Sequence, residues 1–189
     1  MSLGQSILAA AALIVLTILV ISANRMIVQS QQDEYRAIAV NEASEIASAI
    51  INEALSKAYD NYSYLNRADT ISYADSTRFT APGSLGPEWG KPKFSVSNPD
   101  IASSTGSFLS ASLYTDFDDY NGYWRKVDTP TMTGFIANCT VTYVRPTNLN
   151  QPANFRQRYF KRIVVTVYQP QYLPQDALHP ISFSAVKTY

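Results

Sequence analysis

From Ile7 to Ile21 the chain reads ILAAAALIVLTILVI, and the first charge does not arrive until Arg25. Twenty-four uncharged residues, at 1.5 Å rise each, make a helix of about 36 Å, enough for a hydrocarbon core of about 30 Å. A helix at the surface of a soluble core keeps one polar face. This one is apolar all round, so lipid or other copies of the segment must cover it. Beyond Arg25 the pattern changes without stopping. Ala39, Ala43, Ile46, Ile50, Ala54 and Ala58 recur at spacings of three or four, with Ala47, Ile51 and Leu55 beside them. Glu42, Glu45, Ser48, Asn52 and Glu53 fall largely on the other side, which is the pattern of an amphipathic helix. Neither Gly nor Pro occurs between Gly4 and Pro82, so no breaker separates the two segments. The pattern predicts one helix from about Ser2 to Tyr59, with weak stop signals at Asn61, Ser63 and Asn66.

The remainder reads as a head. Residues 61–133 are irregular, with APGSLGPEWGKPK (81–93) and SNPD (97–100) as loops. Period-two alternation starts at Gly134 and marks three strands. In Gly134–Arg145, Phe135, Ala137, Cys139, Val141 and Tyr143 share one face, with Asn138, Thr140 and Thr142 opposite. Arg158–Tyr168 groups Ile163, Val165 and Val167 against Arg162, Thr166 and Tyr168, and Ile181–Thr188 turns Ile181, Phe183 and Ala185 inward. With PTNLNQPAN and QPQYLPQDALHP as connections, residues 134–189 form an antiparallel meander with one buried face. The Ile/Ala/Leu stripe of the helix is the available cover. The expected fold is α+β: a helical spine, apolar over 1–24 and amphipathic over 25–60, packed on a C-terminal antiparallel sheet in a head of residues 61–189.

Composition adds constraints. Charged residues are 16% of the chain, below the roughly 25% usual in soluble domains, and net charge is zero. Nothing global therefore points to nucleic acid. The zero hides an acidic stretch, three basic against six acidic residues over 25–60, ahead of a mildly basic head. No Lys or Arg precedes the apolar run, as a cleavable secretory signal would require. The single cysteine, Cys139, forbids an intrachain disulfide and reads as a small buried hydrophobe. The single histidine, His179, stands beside Pro180, and no G-x-S-x-G, CxxC, HExxH or phosphate-loop motif accompanies it. A non-enzymatic role is expected. Arg156, Arg158, Lys161 and Arg162 form a local basic run, expected on an exposed strand face or edge.

The richest local chemistry is DFDDYNGY, Asp116 to Tyr123. Asp116, Asp118, Asp119 and Asn121 offer hard oxygen ligands, and Gly122 permits a tight turn. Two readings stand: a calcium site, and a hydrogen-bonded acidic turn. The spacing matches an EF-hand loop only in part, and the distal Glu is missing. No other cofactor is indicated. Asn61-Tyr-Ser63 and Asn138-Cys-Thr140 match the N-glycosylation sequon. Tyr59, Tyr62 and Tyr64 suit packing at the junction of helix and head.

In plan, the whole chain resembles the type IV pilin superfamily, including the pseudopilins of type II secretion. MSLGQSILAAAALIVLTILV is similar to a mature pilin start from which a short basic leader has been removed. The resemblance implies a single-pass precursor in the inner membrane that polymerises through its N-terminal helix into a homo-oligomeric extracellular filament. It implies assembly roles for Met1, Gln5, Ala9, Ala10, Ala11, Ala12, Leu13 and Leu16. The family usually carries a glutamate at the fifth mature position, where this chain has Gln5, an amide that hydrogen-bonds an amine without neutralising it. That departure leaves a major pilin and a minor pseudopilin at a filament tip both open. The segment also lacks the proline that kinks many family helices, so a straighter helix is expected. A membrane-anchored binding module is the reading from a different class.

Overall fold

With neither Gly nor Pro between Gly4 and Pro82 to interrupt it, the first element is one continuous helix, α1 (Leu3–Ser56). The computed structural model describes residues 3–65, 73–88, 110–153, 156–174 and 181–189. These fall in two units, Met1–Ile38 and Ala39–Tyr189, and α1 contributes to both. In the first unit every described side chain up to Ala37 is exposed, and its apolar stretch has a mean hydropathy of 2.7 over the best 18-residue window. The helix is thus long and apolar enough to cross a membrane.

In the second unit the helix packs on an antiparallel sheet. Ala39, Ala43, Ile46, Ala47, Ile50 and Ala54, on the predicted stripe, are buried. The helix ends at Ser56, slightly before the predicted Tyr59, although no breaker stands there. Tertiary bonds end it instead. The N–H of Ala58 donates to the carbonyl of Thr115 at 3.2 Å, and the N–H of Phe117 donates to the carbonyl of Ala58 at 2.9 Å. The ammonium of Lys187 donates to the carbonyls of Leu55 and Lys57, taking up acceptors that the last turn leaves open. Asp60 then caps a short α2 (Asn61–Leu65): its Oδ1 accepts from the N–H of Tyr62 at 3.1 Å, and its own N–H donates to the Ser63 hydroxyl. A 3₁₀ turn at Pro82–Ser84 and a short α3 (Ser110–Leu113) follow.

Among the described residues the sheet has five strands, β1 (Trp124–Val127), β2 (Phe135–Arg145), β3 (Asn148–Pro152), β4 (Phe160–Tyr168) and β5 (Ile181–Thr188). The order is β1-β2-β4-β5, with β3 also pairing with β2. Register sets Cys139 against Val165, and Val165 against Phe183, so the predicted inward positions line up across three strands. All five inward positions of β2 are buried, and Cys139 is among them. Two strands exceed the sequence prediction. β1 joins residues expected to be irregular, and β3 lies within PTNLNQPAN, expected to be a plain connection. β3 is exposed throughout and pairs with β2 across an irregular register at Val144/Arg145.

Candidate functional site: a buried acidic turn and its lysine

The 3₁₀ turn Asp118–Tyr120 gathers the carboxylates of the DFDDYNGY segment under the sheet. Asp116, Asp118 and Asp119 are all completely buried. Asp116 and Asp119 are held by the local backbone. Asp116 Oδ1 accepts from the N–H groups of Asp118 (3.0 Å) and Asp119 (3.1 Å). Asp119 Oδ2 accepts from the N–H of Thr115 at 2.7 Å and from that of Asp116 at 3.2 Å. Gly122 ends the turn at φ 80°, a left-handed conformation that side chains rarely adopt, and donates its N–H to the Cys139 carbonyl at 3.0 Å. The turn is thereby stitched to β2. Three tyrosines, Tyr114, Tyr120 and Tyr123, meet edge to face around it with centroids 5.0–5.6 Å apart. The hydroxyl of Tyr120 donates to Glu53 Oε1 on α1 at 2.6 Å.

Asp118 faces a cation that the basic run was not expected to supply. Lys161 is completely buried on the inner face of β4, not displayed on an exposed face or edge. Its ammonium lies 2.5 Å from Asp118 Oδ1, 2.7 Å from Asp60 Oδ2 and 3.0 Å from the Tyr59 carbonyl. The rings of Tyr59 and Tyr143 stand 4.6 and 5.3 Å from it. Of the other members of the basic run, Arg156 is exposed and Arg158 half-buried, both ahead of β4, and Arg162 is half-buried on β4. Burial pushes the Asp118 carboxyl up to about 6 against the opposing pull of Lys161. Asp118 is therefore mostly ionised at neutral pH, as a partner of the ammonium should be.

Asp116 and Asp119 have a different neighbour. One carboxylate oxygen from each, and one from Glu88, lie within 4.8 Å of one another. Burial, reinforced by the charges of Asp118, Asp119 and Glu88, pushes the Asp116 carboxyl up to about 9. Without added positive charge this carboxyl keeps its proton at neutral pH.

The structure therefore divides the predicted oxygen ligands. Asp116 and Asp119 come together, Asp118 is committed to Lys161, and Asn121 is used at both ends of its amide. Its Nδ2 donates to the Leu85 carbonyl at 2.9 Å, and its Oδ1 accepts from the Val141 N–H at 3.0 Å. Glu88 and Lys161 were not foreseen. For Lys161 the signal was present, since it shares the period-two face of Ile163, Val165 and Val167. For Glu88 there was none.

Of the expected assembly residues, Gln5, Ala9, Ala10, Ala11, Ala12, Leu13 and Leu16 lie on α1 and are exposed, while Met1 lies outside the described residues, as does His179. Asn61 and Asn138 are half-buried, on α2 and on the outward face of β2. Comparison with family models, curated proteins and solved structures finds no match to this chain.

Proposed function

We propose that the chain is a structural subunit of a type IV pilus-like extracellular filament, held in the inner membrane before assembly and polymerising through its N-terminal helix. One observation carries this reading. None of the described residues in the most apolar segment of the chain is buried, yet the segment continues without a break into the helix that packs on the sheet. A detached anchor would need no such continuity. A shared helix lets the same element serve lipid first and neighbouring subunits later, with small side chains at Ala9–Ala12 permitting close helix approach. The role is mechanical and not catalytic. Gln5 favours a minor, tip-located subunit as the second reading, because a neutral amide weakens the pairing that repeated subunits use.

Electron microscopy of the purified intact protein tests the proposal. Fibres, lost when Ala10 and Ala11 are both changed to Leu, support it. Monodisperse particles under every assembly condition would sink it. Counting copies per filament separates the two readings, since a tip subunit is present at only a few.

A further inference from the structure

We propose that Lys161 and Asp118 become joined by an intramolecular amide bond that forms spontaneously in the folded head, with Asp116 carrying the proton. The Lys161 ammonium stands 2.5 Å from Asp118 Oδ1, and both side chains are completely sealed from water. Reacting atoms held about 3–3.5 Å apart are poised for bond formation, and an ammonium bonded to one carboxyl oxygen stands near that distance from the carboxyl carbon. The rings of Tyr59 and Tyr143, 4.6 and 5.3 Å from the nitrogen, keep the pair in a low-dielectric setting. There an ion pair exchanges its charges for a neutral amine and a neutral acid far more readily than in water.

Asp116 is the third participant. Its carboxyl is hydrogen-bonded to that of Asp118, and burial together with the charges of Asp118, Asp119 and Glu88 keeps it protonated at neutral pH. The other carboxylate at the lysine, Asp60, is committed elsewhere. Its Oδ1 accepts from the Tyr62 N–H at 3.1 Å and its Oδ2 from the Thr80 N–H at 3.0 Å. Turning Asp60 into an amide would replace one of those acceptors with nitrogen and orphan a backbone donor. Asp118 is therefore the carboxyl that reacts.

The step balances without a co-reactant. A proton passes from the ammonium to the Asp118 carboxylate, and the freed nitrogen lone pair attacks Cγ. The new C–N bond leaves a tetrahedral carbon bearing one O–H and one O⁻. Asp116 gives its proton to the hydroxyl, which departs as water while the C=O reforms, and it takes a proton back from the nitrogen. One ammonium and one carboxylate become one amide and one water, with nothing oxidised or reduced. The remaining N–H can donate to Asp60 Oδ2, already 2.7 Å from the nitrogen. The bond closes a loop between positions 43 apart and ties the acidic turn to β4, a cross-link that a single cysteine cannot supply. All four residues lie within Ala39–Tyr189, so the bond does not depend on filament formation.

The test is intact-mass spectrometry of the full chain, purified in detergent micelles and unfolded before injection, with the N-terminus read independently. The wild type should be lighter than its sequence by one water, and digestion should release one branched peptide linking Lys161 to Asp118. Asp118→Asn should be lighter by one ammonia, because nitrogen then leaves in place of oxygen; a salt bridge has no such signature. Lys161→Arg, which keeps the charge, and Asp116→Asn, which keeps the shape, should both show the full mass of their sequences. Circular dichroism checks that each variant folds. If Asp116→Asn does not, the wild-type and Asp118→Asn masses still decide whether the bond forms. Folded wild-type protein at the full mass of its sequence overturns the proposal. So does a branch at Asp60, or a folded Asp116→Asn variant that loses water as completely as the wild type.

Discussion

The two halves of α1 invert the usual relation between apolarity and burial. The first half, through Ile21, is nearly all Ala, Leu, Ile and Val, and it is exposed. The second, from Ala39, carries three glutamates, and it is the half that packs. What separates them is whether the rest of the sequence provides a matching surface. From Ala39 onward, alanines repeat on one face and let the sheet approach closely. The polar residues at the margins also find partners: Glu42 Oε2 accepts from the Thr129 hydroxyl at 2.5 Å, and Glu53 Oε1 accepts from Ser110 and Tyr120, each at 2.6 Å. Burial follows from complementarity across the whole face, and apolarity alone only makes exposure expensive.

Paired changes put this contrast at risk, and the largest effect is expected where the packed half ends in charge. Lys161→Met would leave Asp60 and Asp118 buried without their cation and should cost about 3–5 kcal/mol in denaturant unfolding. Adding Asp118→Asn should restore part of that loss, and a strictly additive further loss would refute the pairing. Next, Ala47→Asp should destabilise the head by more than about 3 kcal/mol by burying an unpaired charge. Ala11→Asp should leave head unfolding unchanged while impairing membrane insertion, which fractionation would read. An Ala11→Asp variant whose head melts early would break the contrast.

Smaller steps sharpen it. Ile50→Ala should cost about 2–4 kcal/mol, and Ile14→Ala under about 0.5 in the same assay, since Ile50 is 2% exposed and Ile14 61%. Glu53→Ala should cost about 1–2 kcal/mol by orphaning the Tyr120 hydroxyl, while Ser110 keeps its contact with the Tyr123 hydroxyl. Glu34→Ala, on the exposed half, should fall within about 0.5. Chemical unfolding followed by near-ultraviolet circular dichroism would rank all four.

Periodicity carried much of the fold. Spacings of three and four located the packed stripe of α1, and alternation located β2, β4 and β5 with their inward faces. It failed at β1, where WRKV is four residues long with two charges, and at β3, where NLNQP has neither β-branched residues nor alternation. β3 is made by the hairpin that follows β2, and Pro152 fits only because the strand lies off the main path of the sheet. The candidate site was half legible. The acidic segment announced itself by composition, but which carboxylate faces which partner is settled by topology. Lys161 was readable as a charge on a buried face, which obliges a counter-charge somewhere. Glu88 is brought to Asp116 and Asp119 across sequence that carries no period, so no local rule could find it.

Cys139 makes the head its own clock. The only thiol in the chain sits 1% exposed in the middle of β2, backed by Val165 on β4. A small thiol reagent can reach it only while that part of the sheet is open. The rate of labelling in native buffer therefore reports how often the sheet opens, without any introduced probe. Because Gly122 donates to the Cys139 carbonyl and Tyr123 accepts from its N–H, the same rate also times the hold of the acidic turn on the strand beneath it.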